Sequence, residues 1–130
     1  MTEYILLMTL SALALTDYIY FNASDGSLTS NNAQIRIDVV SVNDPPVLAA
    51  IPNYAVALNT TLSFYVKATD VENHTITYIC TNKPSTACFI ALNGYFTWKP
   101  TTAGTYTISF QAKDSLGALS AVKTTTITVK

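Results

Sequence analysis

The sequence predicts an all-β protein: one complete β-sandwich preceded by the closing strands of another. Three observations predict it. Apolar and polar residues alternate through most of the chain, as they do in strands with one buried face. No stretch after residue 47 carries a helical period of useful length. The chain also repeats itself, since Tyr18-Ile19-Tyr20-Phe21-Asn22-Ala23-Ser24-Asp25 returns 89 positions later as Thr107-Ile108-Ser109-Phe110-Gln111-Ala112-Lys113-Asp114. Both copies set Ile, Phe and Ala at alternate positions before an Asp, and a second alternating run follows each, Ile35/Ile37/Val39 and Ile127/Val129. That period is one β-sandwich long. At 130 residues the chain buries one substantial core and not two.

The elements follow in order. Tyr4 to Leu15 is an apolar run too short for a bilayer-crossing helix, which needs roughly twenty residues. Three readings of the segment 1–16 stand: a secretory signal core, although Glu3 sits where basic residues belong; a further strand of the incomplete repeat; or a strand packed on, or donated by, a partner. Residues 17–24 and 33–40 alternate as two strands joined at the turn signal Ser24-Asp25-Gly26-Ser27, so 17–41 reads as the end of a sandwich. Residues 42–46, Val42-Asn43-Asp44-Pro45-Pro46, form a linker, because consecutive prolines lack backbone donors and stay extended. Residues 47–130 then supply a full repeat. Leu62, Phe64, Val66 and Ala68 face one way while Ser63, Tyr65, Lys67 and Thr69 face the other; Ile76, Tyr78 and Cys80 give the next inward row. Asn93-Gly94 marks a tight turn before Tyr95-Phe96-Thr97-Trp98, with Trp98 as the aromatic anchor. Tyr106, Ile108, Phe110 and Ala112 form the clearest inward face, and Ile127 and Val129 close the sheet.

Composition narrows function. Charged residues are 12% of the chain, about half the usual share, and the net charge is −1. Seven Lys and Arg spread along 130 residues make no phosphate-binding footprint, which excludes nucleic acid as a partner. Low charge with Thr-rich alternation suits an extracellular β-protein. Cys80 and Cys88 flank a short loop that an oxidising compartment would close as a disulfide; two reduced thiols at strand ends are the other reading. Sequons at Asn22, Asn59 and Asn73 point to the same compartment as glycosylation acceptors.

Catalysis finds little footing. His74 is the single histidine, it falls in what reads as an exposed turn, and no Gly-x-Ser-x-Gly elbow or phosphate loop accompanies it. Cys80, Cys88 and His74 lack zinc-site spacing. Asp70 and Glu72, two apart at a strand end, point the same way and do not face each other as a glycosidase pair would. The chain reads as no enzyme. Eight tyrosines, among them the outward-facing Tyr65, leave a carbohydrate- or protein-binding module of a larger secreted protein as the alternative.

Four motifs in order then carry a family likeness: Val42-Asn43-Asp44-Pro45-Pro46-Val47; Phe64-x-Val66-x-Ala68-x-Asp70-x-Glu72; Gly94-x-Phe96-x-Trp98-x-Pro100-x-x-x-Gly104-x-Tyr106; and Ala112-x-Asp114. The chain resembles the cadherin-like, dystroglycan-type immunoglobulin-like repeats of large surface proteins. The resemblance implies a Greek-key β-sandwich and a stiff rod of end-to-end repeats at the cell surface, used in adhesion or as a stalk or filament, with neighbouring repeats, copies of itself, or a surface protein or glycan as partners. It also implies calcium at the junction, held by Asn43, Asp44, Asp70, Glu72 and Asp114, since calcium takes six to eight oxygen ligands at about 2.3–2.6 Å. The other reading of Asp25, Asp70, Glu72 and Asp114 is that they accept backbone hydrogen bonds at their own turns and loops. Finally, two strands alone cannot bury Ile19, Phe21, Ile35 and Ile37, so the incomplete repeat calls for strands from the same polypeptide or from another subunit.

Overall fold

The computed structural model describes residues 15–130, and no helix occurs among them. The apolar run 4–15 lies outside the described residues except for Leu15, where the first strand starts. The chain divides into two compact units, Met1–Val42 and Asn43–Lys130.

In the first unit β1 (Leu15–Phe21) pairs antiparallel with β2 (Ala33–Val39), setting Ile19 opposite Ile35. The connection is longer than the tight hairpin turn the sequence suggests. It runs over residues 22–32 and folds on itself at an isolated bridge between Ser24 and Thr29. Asp25 organises it, its Oδ1 accepting the N–H of Ser27 at 2.9 Å and of Leu28 at 2.8 Å. Among the described residues each strand has one partner, and Ile19 is 48%, Phe21 51% and Ile35 51% exposed.

The second unit is the sandwich. One sheet runs in the order β4 (Tyr54–Val56), β11 (Lys123–Val129), β10 (Gly104–Lys113), β7 (Thr77–Thr81), with β4 parallel to β11 and the other pairs antiparallel. The facing sheet runs β5 (Leu62–Tyr65), β9 (Tyr95–Trp98), β8 (Cys88–Ile90). The alternation from Leu62 to Thr69 predicts one strand, but the chain breaks it after Tyr65. The Val66 N–H still bonds to the Gly94 carbonyl at 2.9 Å, and the next residues form β6 (Ala68–Thr69), which pairs with β3 (Val47–Leu48). The chain crosses between sheets from β4 to β5, from β6 to β7, from β7 to β8 and from β9 to β10, as a Greek-key sandwich requires.

The core follows from the alternation. Phe64, Phe96 and Trp98 descend from one sheet, Ile108, Phe110, Ala112, Ile127 and Val129 from the other. Phe64 stacks on Phe96 at 4.9 Å and on Tyr54 at 4.5 Å, while Phe110 meets Phe64 and Phe96 edge-on, both at 6.1 Å. These are the offset and T-shaped contacts that aromatic quadrupoles favour. Near the start of β10 the Tyr106 hydroxyl donates to the Thr102 carbonyl at 3.0 Å, and its ring packs edge-on against Trp98 at 4.7 Å, pinning the corner between the sheets. The Trp98 indole N–H finds Thr86 Oγ1 at 3.0 Å, so the anchor is buried without an orphan donor.

The disulfide expected from the Cys80 and Cys88 spacing is not formed; both are free thiols. Strand alternation explains why. Cys80 lies opposite Phe110 and packs inward against the core, whereas Cys88 lies opposite Thr97, between the inward Phe89 and solvent, on the outer face of the other sheet. Joining them would require a one-residue slip that turns a whole strand over. Burial pushes the Cys80 thiol up to about 11, with Lys83 opposing weakly. Alkylation of the native chain near pH 8 is therefore expected to label the exposed Cys88 and spare Cys80 until unfolding, which mass mapping checks.

Candidate functional site

The linker, the loop after β6 and the end of β10 meet at one end of the sandwich. Pro46 is buried and Asn43 and Asp44 precede it, so the prolines hold a short extended lead-in against the second unit. Asn43 Nδ2 donates to Asp114 Oδ2 at 2.8 Å, and the Asp44 N–H donates to Glu72 Oε2 at 3.3 Å.

Asp114 follows β10 and is 3% exposed. Its Oδ1 accepts the N–H of Leu116 at 2.9 Å and of Ala118 at 2.8 Å, the same turn-holding role that Asp25 fills in the first unit. The Asn43 amide first, then the backbone N–H groups, hold its carboxyl below the ordinary carboxylate value, with burial opposing. A depressed folded-state value contributes stability that is complete above the ordinary value and is lost as pH falls through the folded one. The second unit is thus expected to lose stability as pH falls below the ordinary carboxylate value, with a shallower loss in Asp114→Asn. Thermal melts across that range check it.

Asp70 follows β6. Its carbonyl accepts the N–H of Asn73 at 3.2 Å, its Oδ1 accepts the N–H of His74 at 2.9 Å, and Asn73 takes φ of 60°, closing the loop tightly. The Asp70 side chain is 0% exposed, yet its Oδ2 has no hydrogen-bond partner, and neither has the buried Asn43 Oδ1. One ligand atom each from Asp70, His74 and Asp114 falls within 4.8 Å of the others. Among the described residues no Lys or Arg pairs with either carboxylate. Two buried carboxylates without a protein cation, beside orphaned oxygens, fit a divalent cation, because an uncompensated buried charge is costly.

The structure therefore brings Asn43, Asp70 and Asp114 together. It ties Asp44 to Glu72 but leaves both their carboxylates outside the trio. The residue that sequence reasoning missed is His74. Expected in an exposed turn, it is partly buried, with Nδ1 shielded and 3.5 Å from Asp70 Oδ1. The signal was its place four residues after Asp70, across a turn that Asn73 closes in the left-handed region. The three sequon residues Asn22, Asn59 and Asn73 are all exposed. No described helix is long and apolar enough to cross a membrane.

Similarity to known proteins accords with this architecture. A 23% identical PKD domain of an M14-like peptidase from Thermoplasmatales archaeon SCGC AB-540-F20 superposes with a TM-score of 0.56, over 68% of this chain and 98% of that one. Drosophila N-cadherin EC1-4 gives 0.66 at 18% identity, over 94% of this chain and 34% of that one. A candidate α-galactosidase from Bacteroides fragilis gives 0.56 at 20% identity, and there the chain spans only 19% of the other protein. At these identities the likenesses show the fold. No curated protein matches the chain. The bacterial Ig domain family matches residues 43–130, the whole of the second unit and most of the chain. With its Greek-key sandwich, tyrosine corner and aromatic core all within that span, the chain belongs to the bacterial Ig domain family.

Proposed function

We propose that the chain is a non-catalytic extracellular module, one repeat of a cell-surface stalk or filament, whose leading linker is clamped by a divalent cation. The all-oxygen reading of the site is calcium, bound weakly through oxygens of Asn43, Asp70 and Asp114, with Asp44 and Glu72 tied to each other beside them. One observation carries the reading: the linker's own Asn43 bonds to a buried carboxylate in a cluster that no Lys or Arg among the described residues neutralises. A cation there neutralises Asp70 and Asp114 and fixes the direction in which the chain joins the sandwich. The preceding repeat supports end-to-end assembly. Ile108 and Ile127 are 0% exposed in the second unit, whereas Ile19 and Ile35 of the first are about half exposed and need further strands, from the same polypeptide or another subunit. Sedimentation at several concentrations, with calcium or a chelator, tests it. Long assemblies that shorten on chelation are expected; a compact monomer indifferent to both contradicts it.

A second reading has its own observation. Tyr65, 58% exposed, lies opposite Tyr95 on the outer face of the β5–β9 pair, their rings 5.0 Å apart at 47°. Such a pair offers aromatic faces to a sugar or a protein surface. Tyr65→Ala would abolish binding on a glycan array if this module binds carbohydrate, and leave sedimentation unchanged.

A further inference from the structure

We propose that His74 is a nitrogen ligand of the same cluster, and that the site takes a first-row divalent transition ion of the manganese class in preference to calcium. This rests on the cation-site reading above and sharpens its chemistry. Calcium favours an all-oxygen shell, whereas an imidazole nitrogen suits first-row transition ions, and the carboxylate and carboxamide oxygens around it suit manganese among them. His74 Nδ1 is shielded from solvent, makes no hydrogen bond, and faces Asp70 Oδ1 at 3.5 Å. That is too long for a good hydrogen bond and short enough for both atoms to reach one shared ion. The buried Asp70 Oδ2 and Asn43 Oδ1 independently await a donor or a cation. The His74 backbone N–H on Asp70 Oδ1 at 2.9 Å preorganises the pair, since imidazole and carboxylate sit on one closed loop. A cleft of about 360 Å³ lies beside the pair, lined by Ala68, Thr69, Asp70, Asn73, His74 and Ile76.

Because His74 is the single histidine, its ring reports without ambiguity. The full chain is titrated with manganese(II), followed by electron paramagnetic resonance for free ion and by broadening of the His74 imidazole signals, with calcium as competitor. Manganese is chosen because it avoids the exposed Cys88 thiol, which zinc would seek. The expected result is one bound ion, selective broadening of His74, and manganese binding at least about tenfold tighter than calcium. His74→Asn should weaken manganese by about tenfold or more while leaving calcium within about twofold; Asp70→Asn should weaken both. Equal affinity for the two ions, unchanged in His74→Asn, overturns this proposal and leaves the calcium reading standing. Failure of both ions to bind overturns both readings.

Discussion

Phe110→Ala is expected to cost the second unit about 3–5 kcal/mol, the usual range for deleting a buried aromatic, out of a total of about 5–15. Phe110 is 1% exposed and touches Phe64, Phe89 and Phe96, so its loss opens a cavity bordered by both sheets. Trp98 is the single tryptophan and lies in this core, so its fluorescence in a urea titration reads the effect directly. Phe21 is the matched control. It holds the equivalent place in the repeated phrase but is 51% exposed, so Phe21→Ala should leave the Trp98 transition where it was. A similar loss in both variants would mean that the two units do not unfold separately.

The next largest effect is expected at Gly94. Its φ is +69°, and a Cβ there would fall inside contact distance of the Val66 carbonyl oxygen, with the Tyr78 ring 3.3 Å away. Backbone cannot yield as a side-chain tip does. Gly94→Ala therefore combines left-handed strain with displacement of the β5–β9 edge and its Val66–Gly94 hydrogen bond, together about 2–4 kcal/mol. Gly117→Ala separates the two causes. Gly117 has φ of +98° but a Cβ would meet only Lys113 Cε at 3.9 Å, an ordinary contact, so strain alone of about 1 kcal/mol is expected. Equal losses at the two positions in the same urea titration would show that the collision is relieved.

These two sites also mark what the sequence made legible. Period-two alternation placed β5, β9, β10 and β11, because each has enough residues for one face to show, and Trp98, Phe110 and Tyr106 took the inward positions expected of them. Asn93-Gly94 was readable because a tight left-handed turn leaves a chemical mark. The strands β3, β6 and β8 were not, being two or three residues long, and neither was the break after Tyr65, beyond which the chain leaves β9 and pairs as β6 with β3. The cysteines misled because a spacing along the chain does not say which face of which sheet each thiol takes. At the site, Asn43, Asp70 and Asp114 were legible through a family likeness. His74 was not, since its burial depends on a loop that folds back onto Asp70.

If the carboxylates beside Asn43 hold a cation, Asp70→Asn should reveal it. The substitution removes the buried charge and keeps an oxygen to accept the His74 N–H. Thermal unfolding is measured in wild type and variant, with chelator and with saturating divalent ion. In chelator the variant is expected to melt higher, because an uncompensated buried charge is gone; in the ion it is expected to melt lower, because a ligand is gone. A wild-type midpoint that the ion leaves unmoved, with the variant shifted the same way in both conditions, would contradict the account.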